Sequence, residues 1–343
     1  MTDILNKDYF NYSGRILHKD NAAYLGYTNS KVEFYVKATK DTVVITARID
    51  TQNNGEENEA RLKVFLDNKE QEETLLVLHE ESKEYQLVTI TEEAVHKITL
   101  IKITEAAMSY AKLISIYIEG GELIPLPTHL DNRLKIEFIG DSITCGYGVC
   151  GEPESDYHIR EEDGMKTYAA YAAKELNLDA RYTAVSGFGV YTKYDGDREG
   201  ILPKVYPFTN YFIDEKELYD FKDFIPDIFV INLGTNDSGH LHNKEVQEGF
   251  IQTYATFLKF LKSYAPDSTI LCICGTLCTN AFSFIETAVA KARDNGLDKL
   301  YTYELPFHNV ALDGMASGHP SLLTHQKDGE RLAGKLREIL TLL

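Results

Sequence analysis

Four short stretches carry residue types that could transfer an acyl group: Gly140-Asp141-Ser142, Ser186-Gly187, Gly234-Thr235-Asn236-Asp237 and Gly318-His319-Pro320. A hydroxyl is a weak nucleophile at neutral pH unless a base takes its proton. The tetrahedral intermediate also needs hydrogen-bond donors for its oxyanion. Ser142 offers the hydroxyl and His319 the base, while the N–H groups of Ser142 and Gly187 and the amide of Asn236 offer the donors. Glycine at 187 allows the unusual backbone angles that such a donor requires. Asp141 and Asp237 read as structural, short carboxylates placed to bind backbone amides.

The run "IEFIGDSITCGYG" at 136–148 admits two other uses. A phosphate loop would need G-x-x-x-x-G-K-[ST], and no such string is present. Gly146-Tyr147-Gly148-Val149-Cys150-Gly151 does fit the dinucleotide pattern G-x-G-x-x-G. Its first glycine, however, lies several residues past the strand, and Pro153 follows where a helix should continue.

The elements that must position these residues fall into two groups. In the first part, "VEFYVKA" puts Val32, Phe34, Val36 and Ala38 on one face, and "TVVITARID" does the same with Val43, Ile45, Ala47 and Ile49. Further strand-like runs follow ("RLKVFLD", "TLLVL", "YQLVTI", "HKITLIKI", "KLISIYIEGG"), split by polar turns such as "TQNNGEEN" and "DNKEQEE". Repeated strands without helices predict a β-sandwich or jelly roll over residues 1–124. Pro125 and Pro127 punctuate a linker.

From 133 to 343, strands ("LKIEFIG", "ARYTAVS", "DIFVINLG", "STILCICG", "KLYTYEL") alternate with helices ("TYAAYAAKEL", "KEVQEGFIQTYATFLKFLKSYA", "FIETAVAKARDN"). A last helix, "KDGERLAGKLREILTLL", carries Leu332, Leu336, Ile339 and Leu340 on one face. Such alternation predicts an α/β domain with a parallel sheet and helices on both sides. Ligands bind at the carboxyl ends of such strands. The first three chemical stretches each close one of these strands, and His319 follows the last of them.

At this point the chain resembles the SGNH-type (GDSL-like) hydrolases, on the four stretches in order. The β-rich first part and "HPSLLTHQ" near the end are similar to carbohydrate esterase family 2. The resemblance implies a three-layer α/β/α catalytic domain preceded by a jelly roll. It implies removal of acetyl groups from cell-wall sugars, with acetylated xylo- or manno-oligosaccharides as substrate and no cofactor. Most SGNH enzymes carry an aspartate three residues before the histidine, and here that position is Ala316. The resemblance then implies a Ser–His dyad, with a backbone carbonyl near Ala316 or Ser317 holding the imidazole. Asp313 is a nearby carboxylate at the wrong spacing, and His325 is expected inside the last helix, pointing elsewhere. Gly318 stands where relatives often have tryptophan, and the chain has no Trp. Phe188 and Tyr191 are therefore the expected sugar platform.

Composition narrows the partners. The formal net charge is -18, which repels nucleic acid phosphates and anionic lipid. The N-terminus lacks a basic segment followed by an apolar run, and no stretch is long enough for a membrane helix. Five cysteines, an odd number, read as reduced thiols in a cytoplasmic protein, and their spacing predicts no metal site. Two alternatives share the motifs: a lipase, thioesterase or arylesterase on the same scaffold, and a carbohydrate-binding protein with a vestigial site.

Overall fold

In a computed structural model, the chain is described from residue 3 to 341, except for 53–54, 80–81, 129–130, 154, 214–215, 309–314 and 317. It divides into two units, Met1–Asp131 and Asn132–Leu343.

Alternating apolar residues make the first unit all-antiparallel. Its strands are β1 (Asn11–Ser13), β2 (Ile16–Lys19), β3 (Ala22–Leu25), β4 (Lys31–Ala38), β5 (Val43–Thr51), β6 (Ala60–Leu66), β7 (Lys69–Leu78), β8 (Lys83–Ile90), β9 (Val95–Lys102), β10 (Ala111–Glu119) and β11 (Gly121–Ile124). One sheet runs β1-β4-β9-β6-β7 with β11 also on β4, and the other runs β2-β3-β10-β5-β8. Val32, Phe34 and Val36 of one sheet and Val43, Ile45 and Ala47 of the other fill a single core.

Two features depart from the sequence reading. Strands β1 to β3 were not anticipated. β2 and β3 form a hairpin through Asp20 and Asn21, whose φ values of 53° and 55° suit the mirror-image two-residue turn. The polar run "KEQEE" belongs to β7 and not to a turn. β7 closes its sheet, and an edge strand bears charge readily.

The second unit alternates as expected: β12 (Lys135–Gly140), α1 (Ser142–Cys145), α2 (Tyr168–Glu175), β13 (Asp179–Ala184), α3 (Leu202–Val205), β14 (Ile228–Asn232), α4 (Lys244–Tyr264), β15 (Thr269–Cys274), α5 (Phe282–Asp294) and β16 (Leu300–Glu304). A short hairpin of β17 (Met315–Ala316) and β18 (His319–Pro320) precedes α6 (Leu322–Leu340). The five main strands are all parallel, in the order β13-β12-β14-β15-β16. α2 and α6 share a core with Ile136, Phe138, Val230 and Leu271 of the sheet. α6 begins earlier than the apolar periodicity suggested, because the Ser321 hydroxyl accepts the Thr324 N–H and caps it. The order reverses between β12 and β14, and a crevice opens at such a switch point beyond the carboxyl ends.

Candidate active site

β12 is buried along its apolar length and stops at Gly140, whose missing side chain leaves room for Thr144. Asp141 then caps α1, accepting the Ile143 N–H on Oδ1 at 3.0 Å. Ser142 is the first residue of that helix, so its own N–H has no acceptor within the helix. At the far end of the chain, β18 carries His319, opposite Ala316 in the hairpin. His319 Nε2 lies 2.9 Å from Ser142 Oγ. With the imidazole proton on Nδ1, Nε2 accepts the hydroxyl proton, which is the geometry a serine nucleophile needs. Asp313 and Ser317 lie outside the described residues.

Gly187, after β13, has φ 78°, a conformation that favours glycine. The neighbouring loop is held by Asp237, whose carboxylate accepts the N–H groups of Val190 (2.9 Å), Tyr191 (2.8 Å) and Thr192 (2.8 Å). Asn236, after β14, donates from Nδ2 to Asp141 Oδ2 at 3.2 Å and to the Phe188 carbonyl at 3.1 Å. The amide nitrogen thus has two acceptors in the resting site, and a transition-state oxyanion must compete with them.

The carboxylates beneath the site are heavily buried. Burial pushes the Asp141 carboxyl up to about 7; the Ile143 N–H opposes this, while Cys278 and Asp237 add to the rise. Burial also raises Asp237, against the three N–H groups it accepts. His325 is buried within α6, its Nδ1 accepting the Tyr168 N–H at 3.2 Å. Burial pulls its imidazole down to about 3, with the charges of His319 and His308 adding to the fall.

The expected platform residues Phe188 and Tyr191 are half-buried. Phe188 packs on Phe212 and against Gly200, and the Tyr191 ring sits on Gly249 of α4 with the Arg198 guanidinium 4.7 Å from its centre. Neither contact involves Ser142 or His319. Tyr147 is the ring on the His319 imidazole, at 4.4 Å between centroids, and Tyr157 stacks on Tyr147 at 3.5 Å. Tyr194 lies beside Gly187 and is 67% exposed. The sequence signal for Tyr147 was its place between two glycines just after Ser142, and for Tyr194 its setting in a polar turn, "KYDGD".

An open parallel sheet in this order, with a serine–histidine contact at the tip of its first strand, defines an α/β domain of the SGNH type. Comparison with known proteins agrees. Residues 138–320 match the GDSL-like Lipase/Acylhydrolase family, and the chain belongs to that family. Residues 12–127 match the Carbohydrate esterase 2 N-terminal family. The Cellulase/esterase CelE of Acetivibrio thermocellus is 31% identical over 226 residues, 64% of this chain but 27% of that protein. An Acetylxylan esterase / glucomannan deacetylase of Cellvibrio japonicus is 32% identical over 143 residues, 38% of this chain and 39% of that protein. These matches therefore span well under half of either curated relative. A family two carbohydrate esterase structure from Clostridium thermocellum, in complex with cellohexaose, superposes with a TM-score of 0.86 at 28% identity, covering 97% of this chain and 100% of that one.

Proposed function

We propose that this chain is a carbohydrate O-acetyl esterase, acting on acetylated xylo- or manno-oligosaccharides. The observation that carries the reading is the 2.9 Å contact of His319 Nε2 with Ser142 Oγ at the switch point of the sheet. The family two make-up of both units supports the sugar substrate, as does the similarity to the Cellvibrio acetylxylan esterase / glucomannan deacetylase.

In this mechanism Ser142 Oγ attacks the acetyl carbonyl and His319 Nε2 takes its proton. The oxyanion is met by the N–H groups of Ser142 and Gly187 and by the Asn236 amide. Collapse breaks the ester bond, and the imidazolium returns its proton to the leaving sugar oxygen. Water, deprotonated by His319, then releases acetate from the acetyl-serine. Exposed Tyr194, beside Gly187, supplies an aromatic face on which a sugar ring can stack. The domains are read as a jelly roll over 1–124 and a catalytic domain over 133–343. We place the protein in the cytoplasm, on its odd number of cysteines. The surface charge argues against nucleic acid and anionic membranes as partners.

The test is acetate release from acetylated xylan and mannan oligosaccharides, with NMR locating the bonds lost and a chain-length series of model esters alongside. Rate falling sharply beyond acetyl or propionyl supports the reading. Preference for long acyl chains points to a lipase or thioesterase, and binding without turnover to a vestigial site.

A further inference from the structure

The Gly146-Tyr147-Gly148 run, which fits no dinucleotide site, has a different job in the folded chain. Both glycines adopt positive φ, 90° and 69°. A side chain at Gly146 would meet the Asp163 carbonyl, its Cβ 2.6 Å from the oxygen. Between them, Tyr147 donates its N–H to the Ser142 carbonyl at 3.1 Å. The same residue lays its ring against the His319 imidazole, 4.4 Å away and tilted by 38°. Tyr147 is therefore tied by its backbone to the serine and by its side chain to the histidine. It is also braced: Tyr157 stacks on it at an interplanar angle of 11°, and the Tyr157 hydroxyl donates to buried Glu162 at 2.8 Å.

We infer that Tyr147 is a positioning residue for His319, holding the imidazole toward Ser142 and favouring its protonated form through the ring face. The inference rests on the Ser142–His319 reading above. An aromatic face carries negative charge density and attracts a cation lying over it. The imidazole becomes such a cation once it takes the serine proton, so the contact strengthens as the transition state forms. Among the described residues, the ionisable groups near the ring include Tyr147, with Tyr157 and Glu162 behind it, Asp141 beside the serine, and His325, whose own titration feels His319.

The test uses the full chain with Tyr147→Leu and Tyr147→Phe, reading kcat and KM on a soluble acetyl ester, the acidic limb of kcat/KM, and the His319 imidazole titration by NMR. His319→Gln identifies the signal. Tyr147→Leu is expected to lower kcat by about 2- to 30-fold with KM little changed, the factor a cation–ring contact of this kind carries. It should also move the His319 titration and the acidic limb to lower pH. Tyr147→Phe, which keeps the ring, should restore both. If Tyr147→Leu does not fold, Tyr157→Leu carries the same test, with a smaller shift in the same direction. The inference is overturned if the leucine variant titrates like wild type, or if phenylalanine behaves like leucine. Full turnover in Ser142→Ala would instead sink the serine–histidine reading, while the NMR titration would still report on the ring contact.

Discussion

The Asn236 amide, after β14, ties together the loops after β12 and β13, donating to Asp141 Oδ2 at 3.2 Å beside the candidate nucleophile and to the Phe188 carbonyl at 3.1 Å beyond Gly187. Asn236→Ala should lower kcat by about 10²–10³-fold, as loss of one oxyanion donor does, with a smaller effect on KM. Asn236→Asp should be at least as damaging, because it sets a second carboxylate against Asp141. Steady-state kinetics on an acetyl ester check both, and an alanine variant with wild-type kcat removes Asn236 from the oxyanion site.

Ser142→Ala and His319→Ala should each cut kcat by about 10⁴–10⁶-fold, and the double variant should be little worse, since the pair acts as a unit. Asp313→Asn should cost little. A fall near 10⁴, the size seen when a triad aspartate is replaced, would make Asp313 a third member. Initial rates with acetate detection read all four.

Asp237 is expected to matter through folding. Asp237→Ala strands the N–H groups of Val190, Tyr191 and Thr192, and each buried unpaired group costs about 1–3 kcal/mol. The urea midpoint should fall by the equivalent of several kcal/mol. Gly189→Ala should do similar harm, because a Cβ there collides with the Thr192 carbonyl oxygen and the Asp237 carboxylate. An unchanged midpoint in both variants would show that this clamp is not needed.

Two buried groups should bend the pH dependence of stability in opposite directions. His325, held down to about 3 by burial, stays neutral in the fold while the unfolded chain takes a proton below about 6.5. Its contribution is present above that pH and is lost as pH falls toward 3. Asp141, raised to about 7 by burial, keeps its proton in the fold after the unfolded carboxyl has released it near 4. Its contribution is present at low pH and is lost as pH rises from 4 through 7. Urea titrations between pH 4 and 8 separate them. From pH 7 to 5, His325→Gln should lose about 2 kcal/mol less stability than wild type, whereas Asp141→Asn should lack the decline toward neutral pH. Parallel curves for wild type and His325→Gln would reject the assignment for His325.

Periodicity and residue type declare what is local, and that was legible from the sequence. The period of two in 32–38 and 43–50, the alternation of strand and helix after 133, and the small or polar residues following the first three parallel strands are all written in neighbouring positions. What escaped were the short strands β1 to β3, too brief to establish a pattern, and the start of α6, which a cap decides before the apolar stripe begins.

The residues at the site could be named from their types, but their meeting could not be read from any window of sequence. Ser142 and His319 stand 177 positions apart and touch because the sheet brings the end of β12 and the hairpin before α6 to one place. The aromatic rings make the same point. By type, Phe188 and Tyr191 were as eligible as Tyr147, yet packing seats them on Gly200, Phe212 and Gly249 and leaves Tyr147 on the imidazole. A side chain's chemistry belongs to its own residue, so the sequence by itself determines it. Its neighbours are chosen by how distant apolar surfaces close against one another, and only the tertiary structure decides that.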